Sequence, residues 1–422
     1  MSSNSVNASI ITIGDELLIG QTIDTNSAFI AQELNKIGIW VKRRLAVGDV
    51  FDDIWQALDE EGRQSDIIII TGGLGPTTDD ITKPLLCKYF GGKLVVNEKV
   101  LKHVKYLFEV VFRRPGPMLE RNLKQAEVPD VCTILHNARG TAPGMLFKKG
   151  GKVFISLPGV PHEMKGLMID EVIPRLLSAF KMPAIVHRTA FTAGQGESML
   201  AELLKDFEPS LPPHIKLAYL PNYGMVKLRL TSQGDDKETV EKELMPYFEK
   251  LQELVKEFLV TNEDEGLEVV IGKILKAKGK TMATAESCTG GYIAHLVTSV
   301  AGSSAYYQGT VVSYSYEAKE TILGVKHETL TKTGAVSGET VKEMLAGVIK
   351  TLQVDYALAV SGIMGPDGGT DEKPVGTVWI AVGNNEKTET LKLNLGFDRQ
   401  RNIIITANNA LNFLRKFILA NS

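Results

Sequence analysis

Apolar and polar positions follow two different periods along the first 180 residues. Residues 9–13 and 67–70 are short apolar runs, whereas the segment from Asp24 to Leu34 carries capping residues and then apolar side chains at helical spacing. Continuous apolar runs are typical of strands that are buried on both faces of a parallel sheet. Strands that alternate with helices indicate an α/β domain. The pattern therefore predicts an α/β fold with a largely parallel sheet here.

The pattern changes after about residue 178. Residues 185–192, 216–220 and 226–231 are strand-like, and residues 238–259 form a charged, amphipathic helical segment before an acidic linker at 261–266. This combination indicates a small α+β module. From Leu267 onward, strand-like and helical segments alternate again, and the chain closes with a long helix. We predict three domains, over residues 1–177, 178–262 and 263–422.

Composition narrows the classes of protein. The 422 residues carry a formal net charge of −3, so no overall basic character favours nucleic acid. The three cysteines show neither zinc spacing nor a disulfide framework, which favours a reduced, intracellular protein. The amino terminus lacks the pattern of a signal peptide, and no apolar run is long enough for a bilayer. We expect a cytoplasmic protein without a membrane partner.

A glycine-rich loop, residues 72–80, follows the apolar run at 67–70 directly. Open α/β sheets bind ligands at the carboxyl ends of their strands. The backbone N–H groups of such a loop can hold a diphosphate, and its carboxylates can hold a metal ion or a ribose. The candidates are Gly72, Gly73, Gly75 and Thr77 for the diphosphate, and Asp79 and Asp80 for the metal. Alternatively, the loop is a turn whose aspartates cap the next helix.

A hydroxyl and a thiol stand together in the third predicted domain. Ser287 and Cys288 follow a strand-like run and precede Thr289, Gly290 and Gly291, after which a helical pattern begins. The free N–H groups at a helix start favour an anion or a developing oxyanion. Alternatively, this turn is a helix cap beside a buried cysteine.

Two further loops of this domain could bind a phosphorylated ligand. Gly362 and Gly365 lie in a glycine-rich loop after a strand, and Arg399 and Arg401 lie where the last helix begins. Backbone N–H donors and arginine forks are groups that suit phosphate. Alternatively, the loops are ordinary turns and the arginines are solvated.

Several motifs together resemble a known family. Residues 14–17, 72–80 and 157–164 resemble the molybdopterin-binding, MoaB/MogA-like domain, and residues 286–291, 314–319 and 361–366 resemble the carboxyl-terminal domain of the CinA family. In that family a KH-like insert takes the place of the middle module. The resemblance implies a nicotinamide mononucleotide (NMN) amidohydrolase in the last domain. Some members also hydrolyse ADP-ribose with a divalent metal in the first domain, which makes Asp15, Asp79 and Asp80 candidate ligands of a metal or a diphosphate. His162 and Glu163 could contribute to that site; alternatively, they belong to a surface turn after Gly159.

Amide hydrolysis needs a nucleophile, a base and donors for the oxyanion. The resemblance favours Ser287 as the nucleophile, and lysine is the base of Ser–Lys hydrolases. The family-like segments place none of the seven histidines beside Ser287, so we expect Lys319 to be the base, with Tyr314 relaying the proton or orienting the lysine. N–H groups of residues 289–291 would bind the oxyanion. This reaction requires no cofactor, and Cys288 is the competing nucleophile.

The expected partners are small nucleotides, NMN and ADP-ribose, and the middle module together with the resemblance favours a homodimer. Gly194 to Glu197 is the nearest match to the RNA-gripping loop of a KH domain, but its glycine spacing is wrong and it carries an acid. Direct nucleic-acid binding is therefore not expected. Two other functions remain open: a non-catalytic protein of competence or DNA repair, and a molybdopterin-binding protein.

Overall fold

A computed structural model of the chain describes residues 6–75, 80–113, 118–180 and 183–421. It divides into two compact units, one formed by residues 1–186 with 233–241 and the other by residues 187–232 with 242–422. Within the described residues, no helix is both long enough and apolar enough to cross a membrane.

The first unit contains an α/β domain. Its strands are β1 (Asn7–Ile13), β2 (Trp40–Val47), β3 (Ile67–Thr71), β4 (Leu94–Val96), β5 (Glu127–Pro129), β6 (Thr133–Leu135), β7 (Gly144–Lys149) and β8 (Lys152–Leu157). Its helices are α1 (Asp15–Leu18), α2 (Thr25–Lys36), α3 (Phe51–Gln64), α4 (Thr82–Tyr89), α5 (Glu98–Tyr106), α6 (Glu120–Leu123), α7 (Pro161–Leu167) and α8 (Ile173–Ala179).

Six of these strands form one sheet in the order β2-β1-β3-β8-β7-β6. The first four are parallel, as predicted, whereas β7 and β6 add an antiparallel edge. The four isoleucines of β3 explain its continuous apolar run. Ile67 and Ile69 pack into the core on one face, and Ile68 and Ile70 pack into the core on the other. Alternation along a strand therefore buries every side chain in a sheet that is covered on both faces.

The middle segment forms a four-stranded sheet of order β10-β11-β9-β12. Its elements are β9 (Ala184–Ala193), α9 (Glu197–Leu203), β10 (Lys216–Asn222), β11 (Met225–Gly234), α10 (Lys237–Leu254) and β12 (Leu259–Thr261).

The last 155 residues form a second α/β domain. Its elements in order are α11 (Leu267–Lys278), β13 (Met282–Glu286), α12 (Tyr292–Thr298), β14 (Tyr307–Val312), α13 (Tyr316–Leu323), α14 (His327–Thr333), α15 (Gly338–Leu352), β15 (Tyr356–Gly362), β16 (Thr377–Gly383), β17 (Thr388–Asn394) and α16 (Arg399–Ala420).

These five strands form a sheet of order β14-β13-β15-β16-β17. The first three are parallel, so Glu286, Val312 and Gly362 end their strands at the same edge. Strands β16 and β17 are antiparallel to their neighbours. Helices α11, α12 and α16 contribute to the core on one face and α15 to the core on the other. The segments that carry the candidate chemistry all leave the sheet at or near this one edge.

Candidate active site

Ser287 and Lys319 meet at the carboxyl edge of the last sheet. Ser287 directly follows β13, and Lys319 lies in the first turns of α13, which follows the neighbouring parallel strand β14. The Nζ atom of Lys319 lies 3.0 Å from the Oγ atom of Ser287. Only 1% of Lys319 and 8% of Ser287 is exposed. The two side chains, 32 positions apart, therefore share one buried site.

Backbone carbonyls fix the position of the lysine amine. Nζ donates to the carbonyl oxygen of Ser313 at 2.7 Å and also reaches that of Tyr314 at 3.4 Å. Burial lowers the pKa of Lys319, because the charged form loses its hydration. A neutral amine that donates its two hydrogens to these carbonyls has its lone pair free for the Ser287 hydroxyl. The arrangement can therefore remove the proton of that hydroxyl.

The pair opens into a cavity of about 160 Å³. Besides Ser287 and Lys319, the cavity wall contains the polar side chains of Tyr314, Ser361 and Arg399. The Ser361 hydroxyl already donates to the carbonyl oxygen of Ala335 at 2.7 Å. The complete lining is Ser287, Cys288, Tyr314, Lys319, Ala335, Val336, Ser361, Gly362, Met364 and Arg399.

A buried carboxylate organises the loop that carries Ser287. Glu286 is fully buried, and its Oε2 atom accepts hydrogen bonds from the N–H groups of Gly291 and Ile293 at 3.0 and 3.1 Å. The hydroxyl of Thr289 donates to the same oxygen at 2.7 Å, and the N–H of Ala294 donates to Oε1 at 2.8 Å. Glu286 thus ties the turn after β13 to the start of α12. Sequence reasoning gave this residue no role, although it adjoins the nucleophile.

The expected oxyanion donors need correction. The N–H of Gly291 is taken by Glu286, and that of Gly290 donates to the carbonyl oxygen of Ser287 at 3.2 Å. Neither is free for a substrate. Among the hydrogen bonds between different described residues, none uses the N–H of Cys288 or Thr289. Of the predicted group, Thr289 therefore keeps an available donor, and Cys288 adds one that was not predicted.

The expected role of the Tyr314 side chain also needs correction. Its hydroxyl accepts a hydrogen bond from Nη2 of Arg399 at 3.2 Å and bonds to neither Lys319 nor Ser287 among the described contacts. The Tyr314 side chain is mostly exposed at the cavity mouth. Only the backbone carbonyl of Tyr314 contacts the lysine amine, so the residue orients Lys319 through its main chain.

Arg399 and Arg401 separate in the structure. Nη1 of Arg399 donates to the carbonyl oxygen of Gly365 at 2.8 Å, and the side chain lines the cavity together with Gly362. The guanidinium of Arg401 instead lies 3.8 Å from the centre of the Phe397 ring and is outside the cavity lining. Of the two arginines, the structure therefore brings only Arg399 to the predicted site. Gly365, which adopts a φ of 84°, anchors that arginine through its carbonyl.

Cys288 lies beside Ser287 with a buried side chain. Burial raises the pKa of its thiol to about 12. A thiolate is the reactive form of cysteine, so this thiol is a poor nucleophile near neutral pH. The environment of the two neighbours favours the serine.

Three family descriptions match the chain in succession. "Probable molybdopterin binding domain" matches residues 9–178, "Damage-inducible protein CinA KH domain" residues 187–260, and "CinA C-terminal domain" residues 264–418. A CinA-like protein of Cytophaga hutchinsonii is 50% identical over 409 residues, which are 97% of this chain and 97% of that protein. The chain belongs to the CinA family. The predicted resemblance and fold class are confirmed.

Other CinA relatives extend the comparison. A CinA-like protein of Flavobacterium psychrophilum is 48% identical over 415 residues, covering 98% of this chain and 99% of that protein. The crystal structure of the protein CinA with unknown function from Thermoplasma acidophilum shows 38% sequence identity. It covers 41% of this chain and 99% of that chain, with a TM-score of 0.38.

The glycine-rich loop of the first domain follows β3 and contacts the end of β1. Gly72 has a φ of 115°, and a Cβ atom there would lie 2.2 Å from the carbonyl oxygen of Ile13. Gly73 has a φ of 64°, and its Cβ would lie 2.1 Å from Oγ1 of Thr82. Both positive φ values favour glycine, and at Gly72 a side chain would also meet the backbone. The N–H of Gly75 donates to Oδ1 of Asp80 at 2.7 Å, so that carboxylate closes the loop.

The candidate metal ligands are only partly described. Asp15 begins α1. Its N–H donates to Oδ2 of Asp49 at 3.2 Å, and the N–H of Asp49 donates to Oδ1 of Asp15 at 3.2 Å. Asp79 and Thr77 lie outside the described residues. In the described part of the chain, no three His, Cys, Asp or Glu side chains group as a metal site. The metal assignment of Asp15, Asp79 and Asp80 therefore stays a prediction.

His162 and Glu163 lie in the first turn of α7, not in a surface turn. The carboxylate of Glu163 accepts a hydrogen bond from the Asn137 amide at 2.6 Å, and burial raises its pKa. His162 is exposed. Glu163 is thus already engaged by its own domain.

Proposed function

We propose that the carboxyl-terminal domain hydrolyses the carboxamide of NMN to give nicotinate mononucleotide and ammonia. The observation that carries this proposal is the 3.0 Å contact between Lys319 Nζ and Ser287 Oγ, made inside a small buried cavity. A serine becomes nucleophilic when a base lies within hydrogen-bond reach, and a desolvated lysine can be that base.

The proposed reaction has two halves. The neutral Lys319 amine takes the proton of the Ser287 hydroxyl while Oγ bonds to the amide carbon, which gives a tetrahedral oxyanion. The oxyanion collapses, the C–N bond breaks, and the lysine ammonium gives its proton to the departing nitrogen, so that ammonia leaves. A water molecule then attacks the resulting ester with Lys319 again as the base, and the carboxylate product and free Ser287 are released.

The available N–H groups of Cys288 and Thr289 are the proposed oxyanion donors. The N–H of the residue after the nucleophile is a common member of oxyanion holes in serine hydrolases. Each such donor contributes about 10²–10³ in kcat where it has been removed. Arg399 forms part of the wall of the same cavity.

The purified full-length chain tests the proposal directly. We expect NMN to be converted to nicotinate mononucleotide with one ammonia released per NMN consumed, both with and without chelator. Ammonia detection and chromatographic separation of the two nucleotides measure this. If NMN is returned intact at high enzyme concentration, the amidohydrolase proposal is wrong and a non-catalytic role gains support.

A second candidate function, ADP-ribose hydrolysis by the first domain, draws on one local observation. The glycine-only turn at Gly72 and Gly73 and the start of α1 at Asp15 both follow neighbouring parallel strands, β3 and β1. Backbone N–H groups and a carboxylate therefore leave the sheet at one edge, which suits a diphosphate. Release of AMP from ADP-ribose on addition of a divalent metal would support this function. Its absence would favour a molybdopterin-binding role.

The expected homodimer and cytoplasmic location stay predictions as well. Sedimentation of the purified chain and fractionation of cells would test them.

A further inference from the structure

The cavity beside Ser287 is too small for the whole of the proposed substrate. It measures about 160 Å³, whereas pockets for drug-sized small molecules occupy about 300–1,000 Å³. If the nicotinamide amide reaches Ser287, the ribose phosphate must extend beyond this cavity. A second cavity of about 380 Å³ adjoins it, because Val336 lines both. The inference that follows therefore rests on the proposed function.

Cationic groups surround this second cavity, which we call the lysine cleft. Its lining includes Lys332, Lys373 and Lys392, opposed by two carboxylates, Glu339 and Glu372. The lysines outnumber the acids by one, so the cleft has an excess of positive charge.

The cleft also contains the start of the 15-residue helix α15. The hydroxyl of Ser337 accepts a hydrogen bond from the N–H of Thr340. The first N–H groups of a helix have no partner within the helix, and Gly338 and Glu339, at the first two positions of α15, line the cleft. They add donors and the positive end of the helix dipole to the lysines.

An orphaned hydroxyl gives the independent indication of a ligand. Thr377 lines the lysine cleft, is 1% exposed, and its Oγ1 atom has no hydrogen-bond partner within the described part of the chain. A buried hydroxyl without a partner costs free energy, so native proteins rarely leave one unsatisfied. An anion held between the lysines and the start of α15 would accept that hydrogen bond.

The alternative phosphate groups are already engaged. Arg399 donates to the Gly365 carbonyl and to the Tyr314 hydroxyl, and Arg401 lies over the Phe397 ring. By contrast, Lys332 is exposed and no described hydrogen bond holds its amine. The amine of Lys373, which also lines the cleft, donates to the carbonyl oxygen of Thr333 at 2.5 Å, so of these two lysines Lys332 is the freer to bind a ligand. We propose that the lysine cleft, through Lys332, Lys373, Thr377 and the first N–H groups of α15, binds the 5′-phosphate of the mononucleotide.

Substrate discrimination tests this proposal. Nicotinamide riboside is NMN without its phosphate, so the ratio of kcat/KM for NMN to that for the riboside reports the phosphate site. We expect Lys332→Ala and Thr377→Val each to lower this ratio about tenfold, as the loss of one hydrogen bond to a charged group implies. Most of the change should appear in the KM for NMN. The matched control is Lys350→Ala, an exposed lysine in the last turn of α15, which should leave the ratio unchanged.

Thr377→Val also separates binding from structure. Valine matches threonine in shape and removes the orphaned hydroxyl, so the variant without ligand should keep or raise its Tm while it binds NMN less well. A lower Tm together with an unchanged substrate ratio would overturn the proposal, because the hydroxyl would then be structural. An unchanged ratio in Lys332→Ala would place the phosphate elsewhere, with Arg399 as the remaining candidate.

Calorimetry keeps the proposal testable if the chain proves not to hydrolyse NMN. NMN and inorganic phosphate are titrated separately into the wild type and Thr377→Val. Weaker binding of both by the variant would support an anion site in the cleft even if no ammonia were released. Equal binding by the wild type and Thr377→Val would overturn the proposal that the lysine cleft binds phosphate, whatever the outcome of the activity assay. If phosphate binds without competing with NMN, the cleft is a separate anion site and the proposal is again wrong.

Discussion

Replacing Glu286 by glutamine removes the charge that organises the nucleophile loop and keeps the side-chain shape. The carboxylate accepts hydrogen bonds from three backbone N–H groups and from the hydroxyls of Thr289 and, at 3.3 Å, Thr284. In the least damaging orientation, the amide oxygen keeps the three donors of Oε2. The amide nitrogen then faces the N–H of Ala294, which loses its partner, and the Thr284 hydroxyl, which can accept from the amide instead of donating.

The magnitude follows from these contacts. A hydrogen bond to a charged group contributes about 1.5–3 kcal/mol and a neutral one about 0.5–1.5 kcal/mol, so the three retained bonds lose about 1 kcal/mol each. The unpaired N–H costs about 1–3 kcal/mol more, and the lower desolvation cost of the neutral amide offsets part of the sum. We expect the free energy of unfolding to fall by about 2–4 kcal/mol. This corresponds to a Tm lower by about 4–16 °C for a domain of this size.

Two assays measure the effect. Trp379 is the tryptophan of the last domain, and Trp40 and Trp55 lie in the first unit. With Trp40 and Trp55 replaced by phenylalanine, fluorescence therefore follows unfolding of the last domain alone. A displacement of about 1 Å at a reacting group can lower the rate about a hundredfold, so kcat should fall by about that factor.

The matched control is Glu386→Gln, an exposed glutamate in the turn between β16 and β17. It should change neither quantity. If Glu286→Gln unfolds at the wild-type temperature and retains wild-type kcat, the carboxylate does not position Ser287 and the reasoning is refuted.

Four further predictions concern single groups. Burial lowers the pKa of Lys319, so its neutral amine forms at a lower pH than that of an exposed lysine. We therefore expect kcat/KM to rise with pH and to level off below about pH 10.4. A fall in kcat/KM over that range would count against a lysine base. Burial raises the pKa of the Cys288 thiol to about 12. Iodoacetamide at pH 7.5 should therefore leave this thiol unmodified in the native protein, which peptide mass spectrometry measures. Rapid alkylation of Cys288 would contradict this prediction. Arg399→Ala should raise the KM for NMN through loss of the cavity wall, whereas Arg401→Ala should leave both kinetic constants unchanged; equal effects of the two would contradict the geometry. Gly72→Ala should lower the free energy of unfolding of the first domain by about 1–3 kcal/mol or more, because a side chain there meets a backbone carbonyl. An unchanged Tm would contradict this and show that the turn relaxes.

The fold could be predicted where burial alone determines the pattern. The isoleucines of β3 identify a central strand because both faces of the sheet are covered. Strand β17 is hard to predict from the sequence, since Thr388–Asn394 contains threonine, glutamate and lysine at an edge of the sheet and offers only a weak apolar signal. Its assignment depends on pairing with β16, which is a tertiary contact.

The site divides in the same way. The resemblance together with the need for a base pointed to Ser287 and Lys319, and the parallel pairing of β13 with β14 explains how they meet. Arg399 and Arg401 could not be told apart without the helix, where residues two positions apart face different directions. The hydrogen bond from the N–H of Gly291 to Glu286 could not be predicted from the sequence either, because it depends on how the start of α12 approaches the end of β13.

The most direct measurement of the central claim is ammonia release from NMN by Ser287→Ala beside Cys288→Ala. Both proteins should first be shown to have wild-type Tm and circular dichroism. We predict that the serine variant loses activity by at least about 10³-fold, as loss of a nucleophile implies, while the cysteine variant stays within tenfold of wild type. Activity that survives in Ser287→Ala and disappears in Cys288→Ala would contradict the account and transfer the nucleophile to the thiol.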